Sequence, residues 1–116
     1  MEIDRSPYCV YIITNSSKNV LYTGITNDLE QRIFEHYFDR GKTNSFTSKY
    51  YVYNLLYYEC HDSAEAAIAR EKKIKGWTRE KKLALIKEFN PEFKFLNREL
   101  FDCWPPKGFN HRRERD

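Results

Sequence analysis

The sequence predicts a small α/β protein of the α+β type, with three strands and three helices around one core. Short runs rich in β-branched and aromatic residues predict strands, as in YCVYIIT at Tyr8–Thr14. Apolar residues that recur every three or four positions predict helices. The chain has 116 residues, of which 41% are hydrophobic, and these suffice for one domain with a packed interior.

The first two strands are predicted to form a β-hairpin. Tyr8–Thr14 is apolar on both faces, which is typical of a strand at the centre of a sheet. Residues 15–19 are turn formers, and residues 20–24 read as the second strand, which a glycine ends. A third strand is predicted over residues 50–60, which are dense in aromatic and large apolar side chains.

The register of the hairpin decides which side chains meet. If Thr14 pairs with Asn19, Tyr11 lies directly opposite Tyr22, and both rings share one face of the sheet. This pairing is an assumption, because a slip of one residue would turn one set of side chains to the other face.

Three helices are predicted, over residues 27–39, 63–76 and 78–89. Each begins at a short polar side chain that can accept hydrogen bonds from the free N–H groups of the first turn. A glycine ends each of the first two helices, and the Asn90-Pro91 pair ends the third. Residues 41–48 show no periodicity and predict a mobile, solvent-facing loop.

One domain is predicted over residues 1–96, followed by an extension over residues 97–116 that is at most partly ordered. Cys9, Cys60 and Cys103 are odd in number and lack a C-x-x-C spacing. Neither a disulfide framework nor a structural zinc site is therefore expected, and the cysteines are assigned to packing. The sequence shows no signal-peptide pattern and no long apolar run, so we expect a reduced, cytoplasmic protein with no membrane partner. We also expect a monomer or a weak homodimer.

The positive charge is concentrated in one stretch of the chain. Residues 70–87 hold eight Lys or Arg against two Glu, although the net charge of the whole chain is only +3. Such a run is either a solvated helical face or a surface for a phosphate backbone. Trp77, in the middle of the run, suits the second interpretation.

Glu71 is the most informative single residue. It falls on the inward stripe of the second predicted helix, together with Ala64, Ala67, Ile68 and Ile74. A buried carboxylate is costly unless it finds a cation, a strong donor or a metal. The plainer interpretation is an ion pair with a nearby Lys or Arg, and the functional one is a metal ligand.

Arg32 and His36 lie one helical turn apart and project from one face of the first helix. Each alone would more often be a surface residue, but arginine grips phosphate oxygens with paired donors and histidine exchanges a proton near neutral pH. Tyr11 and Tyr22 are either core aromatics or hydroxyls that reach a cleft. A tyrosine has an ordinary pKa of about 10, so it would need a strong helper to deprotonate water.

The motifs VYI and YTG, followed in order by Arg32, His36 and then Glu71 within AREKKIKGW, resemble the GIY-YIG nuclease superfamily. The likeness is greatest to its small standalone members and covers residues 8–96. The resemblance implies a compact fold with a three-stranded antiparallel sheet flanked by helices. It also implies cleavage of phosphodiester bonds with one Mg²⁺ or Mn²⁺ ion.

Carried over by position, five residues would form the catalytic site. Tyr11 matches the tyrosine of the first motif, and Tyr22 would orient or deprotonate the attacking water. Arg32 would stabilise charge on the reacting phosphate, and His36 would assist near the nucleophile. Glu71 would be the sole protein ligand of the metal, with waters and phosphate oxygens completing the shell.

The resemblance also implies a DNA partner, structured or damaged DNA in particular. Gly24 would let the substrate approach the backbone closely. The basic helices and residues 41–49 would hold backbone phosphates, which position DNA without reading its bases. The expected basic contacts are Lys49, Lys72, Lys73, Lys75, Arg79 and Lys82.

Three positions depart from the family pattern. Cys9-Val10-Tyr11 replaces Gly-Ile-Tyr, although the tyrosine is kept. Ile25 stands where many members have a lysine. Lys81-Lys82-Leu83 stands where many have an asparagine, and the nearest asparagine is Asn90. These departures bear on rate and substrate more than on the fold.

Two functions from different classes remain open. The first is a metal-dependent DNA endonuclease of low sequence specificity, in repair or recombination. The second is a nucleic-acid-binding module of the same fold with weak or no catalysis. The retention of all five site residues favours the enzyme. A protein-interaction adaptor that uses the aromatic residues 50–58 is a third hypothesis, which the sequence does not test.

Overall fold

A computed structural model of the chain describes residues 7–106 and has the predicted α+β architecture, with a three-stranded antiparallel sheet. The extension predicted over residues 97–116 is thus described as far as residue 106. The strands are β1 (Tyr8–Thr14), β2 (Leu21–Thr26) and β3 (Asn54–His61). The helices are α1 (Leu29–Phe38), α2 (Phe46–Lys49), α3 (Ala64–Lys75), α4 (Arg79–Phe89) and α5 (Asn97–Leu100).

The sheet has the order β2-β1-β3, so β1 is the central strand, as its apolar character on both faces predicted. One buried cluster lies between the sheet and helices α3 and α4 and contains Val10, Ile12, Leu56, Tyr57, Ala67, Ile74 and Ile86. The other lies on the α1 side of the sheet and contains Tyr11, Ile13, Ile33, Val52, Leu55 and Leu96. The central strand therefore contributes side chains to two separate apolar layers.

The predicted register of the hairpin is wrong by two residues. Tyr11 pairs with Gly24 rather than with Tyr22. The turn is longer than predicted because the Asn15 side chain accepts hydrogen bonds from the backbone N–H groups of Asn19 (3.0 Å) and Val20 (3.3 Å). A shift of two residues keeps the faces of the strand, so both tyrosine rings still lie on one side of the sheet.

The prediction of an irregular loop over residues 41–48 is wrong at its end, where α2 begins. The Ser48 hydroxyl donates to the carbonyl oxygen of Asp39 (2.5 Å) and accepts from the backbone N–H groups of Lys42 (3.0 Å) and Thr43 (2.9 Å). The buried Ser48 side chain thus holds the helix in place through polar bonds, and no apolar stripe marks the helix in the sequence. The segment is fixed to the end of α1 through polar bonds.

The third strand begins at Asn54, not at residue 50 as predicted. Tyr51 has a φ of 56°, a left-handed conformation that an extended strand does not admit. Helices α3 and α4 lie where they were predicted, with Ser63 and Thr78 as their caps. Within α3, the assignment of Ile68 to the inward stripe is wrong, because this side chain is exposed.

The expectation that no disulfide forms is also wrong. Cys9 on β1 and Cys60 on β3 lie directly opposite each other and are bonded, although 51 residues separate them in the sequence. The spacing of cysteines along a chain does not reveal neighbours on adjacent strands, and therefore the pair escaped prediction. Cys103 is free and exposed. No helix within residues 7–106 is long and apolar enough to span a membrane.

Residues that follow the third predicted helix close the α1 side of the sheet. The buried Asn97 side chain accepts a hydrogen bond from the backbone N–H of Leu55 (2.8 Å) and donates to the carbonyl oxygen of Tyr53 (3.0 Å). The Trp104 ring packs against Tyr37 with centroids 5.0 Å apart. The described part of the predicted extension, residues 97–106, is therefore joined to the core.

Candidate active site

Three aromatic side chains from three elements meet on the α1 side of the sheet. The Tyr11 hydroxyl on β1 lies 2.9 Å from Nε2 of His36 on α1. The His36 ring also lies edge-on to Tyr22 on β2, with centroids 5.9 Å apart. The structure thus brings together both tyrosines and the histidine that the sequence singled out.

The position of His36 follows from how α1 begins and what it buries. The Asp28 side chain accepts a hydrogen bond from the backbone N–H of Gln31 (3.1 Å) and caps the helix. Ile33 and Phe34 are buried beneath the helix. Burial of this stripe turns the neighbouring His36 toward the two tyrosines.

Gly24 is buried against the Tyr11 ring. A Cβ atom at Gly24 would lie 2.5 Å from both Cζ and Oη of Tyr11, well inside van der Waals contact. The glycine therefore lets Tyr11 cross the neighbouring strand and reach His36. The close approach that the sequence assigned to a substrate is, among the described residues, an approach of this ring.

Burial keeps the hydrogen-bonded pair neutral. Burial, assisted by the positive charge of Arg32, lowers the pKa of His36 to about 4. Burial also raises the pKa of Tyr11 well above its usual range, although Arg32 opposes this shift. The second ring nitrogen of His36, Nδ1, lies 3.2 Å from the Thr47 hydroxyl. Tyr11, His36 and Thr47 form a chain of neutral groups at pH 7.

Arg32 lies at the solvent edge of the cluster. Its Nη1 donates to Oε1 of Glu35 at 3.0 Å, and both side chains are exposed. A pocket of about 340 Å³ lies beside it, lined by residues from the junction of β2 and α1. A second pocket, of about 350 Å³, is lined by Asp28, Glu30 and Asp102. The second pocket has an acidic lining that does not suit a phosphate. The first contains Asp28 and Glu35 as well, and Arg32 is the cation among its lining residues that could bind a phosphate oxygen.

Glu71 is buried, as its place on the apolar stripe of α3 predicted, with only 8% of its surface exposed. Its Oε2 lies 2.8 Å from Nζ of Lys75, one turn later on the same helix. This hydrogen bond raises the pKa of Lys75, and Lys75 interacts electrostatically with Tyr22 as well. The ion pair that the sequence offered as the plainer interpretation is present, and its Lys75 is within electrostatic range of Tyr22.

A single carboxylate is what this site offers to a metal. Within residues 7–106 no group of three or more His, Cys, Asp or Glu side chains could hold an ion. Mg²⁺ is often bound by one or two carboxylates, with waters and substrate phosphates as its other ligands. Glu71 fits such an ion and does not fit a metal held by protein groups alone.

The predicted nucleic-acid contacts lie in three places. Lys75 interacts electrostatically with Tyr22, and Lys49 lies beside Tyr50, whose ring packs on Phe46. Arg79 donates to the carbonyl oxygen of Lys18 (3.2 Å) in the turn of the hairpin. The other three, on α3 and α4, have no described contact with the tyrosine and histidine cluster: Lys72, Lys73 and Lys82.

Sequence reasoning missed two residues of the site, both on α2. Thr47 holds Nδ1 of His36, and the Phe46 ring stacks on Tyr22 with centroids 6.3 Å apart and an angle of 23° between the planes. The short helix carries no hydrophobic period. The one available signal was Phe46 itself, an aromatic residue in an otherwise polar stretch.

Asn90 does not take the place of the missing family asparagine. Its side-chain amide donates to the carbonyl oxygens of Leu56 (3.1 Å) and Lys94 (2.9 Å), and its oxygen accepts from the backbone N–H of Lys94 (3.1 Å). The side chain fastens the end of α4 to β3. These bonds account for its burial without a role in the cluster.

Comparison with known proteins gives a consistent picture. The model of the GIY-YIG catalytic domain matches residues 7–84. A UPF0213 protein of Haloquadratum walsbyi is 42% identical over 79 residues, which are 68% of this chain and 85% of that protein. A UPF0213 protein of Staphylococcus aureus is 39% identical over 79 residues, with 68% and 93% covered. The solution NMR structure of the UPF0213 protein BH0048 from Bacillus halodurans is 30% identical, covering 69% of this chain and 82% of that one, with a TM-score of 0.44.

Proposed function

The chain belongs to the GIY-YIG family, and from this premise we propose that it is a divalent-metal-dependent endonuclease that hydrolyses phosphodiester bonds in DNA. The observation that carries the proposal is the meeting of Tyr11, Tyr22 and His36 beside the exposed Arg32, with the ion pair of Lys75 and the buried Glu71 within electrostatic range of Tyr22. Low sequence specificity and a role in repair or recombination belong to the same proposal, as do a cytoplasmic location and a monomer or weak homodimer.

Each side chain has a task that its surroundings suit. The hydroxyl of Tyr22 orients the attacking water; to take up the water's proton, Tyr22 would first have to lose its own to a helper. Arg32, exposed at the pocket, binds an oxygen of the reacting phosphate and offsets its growing charge. His36 is neutral at pH 7 and, through Tyr11 and Thr47, fixes the hydrogen-bond network that supports Tyr22. Glu71 holds one Mg²⁺ or Mn²⁺ ion, which would supply charge stabilisation for the leaving oxygen.

Lys75 has a second task in this proposal. Its ammonium group already neutralises Glu71 and is exposed on its outer side. A metal held by Glu71 would leave Lys75 free to contact a phosphate of the bound strand. This contact would be one of several from basic groups that hold the backbone without reading bases. The others are Lys49 beside Tyr50, Arg79 at the turn of the hairpin, and Lys72, Lys73 and Lys82 on α3 and α4.

A second candidate is a nucleic-acid-binding module of the same fold with weak or no catalysis. The Glu71–Lys75 ion pair favours it, because the buried carboxylate is already satisfied without a metal. The isoleucine at position 25, where many members have a lysine, points the same way. Both candidates bind DNA, and only the first cuts it.

Nicking of supercoiled plasmid and cleavage of branched DNA test the proposal. We expect cutting with Mg²⁺ or Mn²⁺, none with EDTA, and loss of cutting in Glu71→Ala and in Tyr22→Phe, with thermal melting unchanged. Tyr53→Phe is the matched control, since it also removes one hydroxyl from a partly buried tyrosine and should cut as the wild type does. DNA binding by all forms with no cutting in either metal would favour the binding module instead.

A further inference from the structure

Two exposed aromatic rings continue the cluster outward from Tyr22. Phe46 stacks on Tyr22, and Tyr50 packs on Phe46 with centroids 5.0 Å apart and an angle of 52° between the planes. Phe46 is 44% exposed and Tyr50 49% exposed. What sets this exposed pair apart is its contact with a candidate catalytic residue, a position where stacked rings can hold a ligand.

The two rings are presented rigidly. The Ser45 hydroxyl caps α2 by accepting from the backbone N–H of Ser48 (3.3 Å), and Ser48 in turn is bonded to the end of α1. Thr47, between Phe46 and Ser48, is buried against His36. Because the helix is fixed at Ser45, Thr47 and Ser48, the rings lose little freedom when a ligand stacks on them.

The surroundings of the rings favour a nucleotide over an apolar partner. Lys49 is exposed, and its Nζ lies 5.8 Å from the centre of the Tyr50 ring. Aromatic rings that stack on bases, with cations that hold the phosphates between them, are the usual means of binding single-stranded nucleic acid. The rings begin at Tyr22, where the reacting phosphate is proposed to lie, and a strand in the site would pass over them.

We propose that Phe46 and Tyr50 form a stacking platform for unpaired bases next to the phosphate that is cut, so that the protein acts on single-stranded segments or junctions rather than on continuous duplex. Bases inside a duplex are already stacked on their neighbours and cannot present a face to the rings. This inference rests on the proposed nuclease function, since it names the form of DNA that the same site takes.

Binding measured without cutting tests the platform separately from the nuclease. In EDTA, fluorescence anisotropy would follow a labelled 15-nucleotide poly-dT strand and a labelled hairpin duplex of similar charge. We expect the wild type to bind the single strand more tightly than the hairpin. Phe46→Leu and Tyr50→Leu should each weaken single-strand binding by about fivefold or more and change hairpin binding less than twofold. Phe46→Trp, which keeps an aromatic ring at this position, should bind the single strand as tightly as the wild type does.

Phe89→Leu is the matched control. Phe89 is an aromatic residue on α4 with 47% of its surface exposed, and it packs on Tyr57 and Tyr58 of β3, at the far edge of the sheet from Tyr22. The Phe89→Leu variant should bind the single strand and the hairpin as the wild type does. Equal losses for strand and hairpin, or no loss in either α2 variant, would overturn the platform. Failure of the wild type to nick plasmid would reject the nuclease and leave this result intact.

Discussion

His36 is held by contacts on both ring nitrogens. Nε2 lies 2.9 Å from the Tyr11 hydroxyl and Nδ1 lies 3.2 Å from the Thr47 hydroxyl. Since burial lowers the pKa of His36 to about 4, the ring stays neutral through the physiological range. A neutral ring donates a hydrogen bond through one nitrogen and accepts one through the other, and it does not add positive charge to that of Arg32.

Stability should therefore depend on pH through His36. The pKa is about 4 in the folded chain and about 6.5 in the unfolded chain, so the unfolded chain binds a proton first as the pH falls. The stability associated with neutral His36 is complete above pH 6.5 and is lost as the pH falls from 6.5 to 4. Between pH 7 and 4.5 the free energy of unfolding should drop by about 2–3 kcal/mol more in the wild type than in His36→Gln.

Urea unfolding of both forms at the two pH values measures this difference. The carboxylates titrate equally in the two proteins, so their contribution to the change in unfolding free energy cancels in the comparison. An equal drop in wild type and His36→Gln would contradict the assignment of a neutral, buried imidazole.

Gly24 provides a second test at the scale of one residue. Gly24→Ala would place a methyl group 2.5 Å from the Tyr11 ring, so the ring or the strand must move. We expect a loss of about 1–3 kcal/mol in the free energy of unfolding. Gly76→Ala is the control, because its Cβ would meet only carbonyl oxygens at 3.6 Å and 3.8 Å and its φ is −83°. Equal stability of the two variants would show that Tyr11 does not lie across β2.

At the scale of elements, local signals predicted what local bonds determine. Ser63 and Thr78 cap α3 and α4 as expected, since a cap depends on residues three positions apart. The register of β2 depends on a side-chain bond from Asn15 across the turn, and α2 depends on Ser48 reaching back to α1. No periodicity records such bonds, which explains why these two elements were predicted wrongly.

The join between α5 and β3 is testable through Asn97. Asn97→Ala would remove both of its bonds and leave the backbone N–H of Leu55 buried without a partner. We expect a loss of about 2–3 kcal/mol in the free energy of unfolding. Asn27→Ala, at an exposed position before α1, should cost far less. Urea unfolding measures both, and a loss in Asn97→Ala no larger than the control would contradict the anchoring role.

At the scale of the whole molecule, the family motifs predicted which side chains lie together in the candidate site. The number and spacing of the cysteines did not predict the disulfide. The predicted hairpin placed Tyr11 and Tyr22 on one face of the sheet, and the order of the family motifs indicated that His36 joins them. Their joint position with Arg32 could be predicted because the resemblance carried a fold with it. The disulfide between Cys9 and Cys60 could not be predicted, since it depends on which strands are neighbours in the sheet.

The disulfide should contribute to stability through the length of chain that it closes. Its cysteines are 51 residues apart, and a loop of this size corresponds to about 4 kcal/mol. Reduction, or the double change Cys9→Ala and Cys60→Ala, should lower the free energy of unfolding by about that amount, whereas Cys103→Ala should not. Thiol titration of the unfolded, unreduced protein should find one free thiol. Three free thiols would contradict the bond.

The proposed function requires the buried carboxylate of Glu71 to hold the metal ion that supports hydrolysis of DNA. A second partly buried carboxylate, Glu59, provides a matched control. It accepts hydrogen bonds from Arg70 Nε (2.9 Å) and contacts His61 Nε2 (2.7 Å), on the strand at the opposite edge of the sheet from Tyr22. Glu59 therefore has only structural partners within the protein. Glu71 would resemble it if its ion pair with Lys75 were its whole role.

The most direct measurement is the rate of plasmid nicking in Mn²⁺ by Glu71→Gln and Glu59→Gln, with both variants shown by thermal melting to be folded. We predict that Glu71→Gln lowers the rate by about a hundredfold or more, because the amide no longer offers a charged ligand to the metal. Glu59→Gln should stay within about threefold of the wild type. Nicking by Glu71→Gln at the wild-type rate would contradict the account.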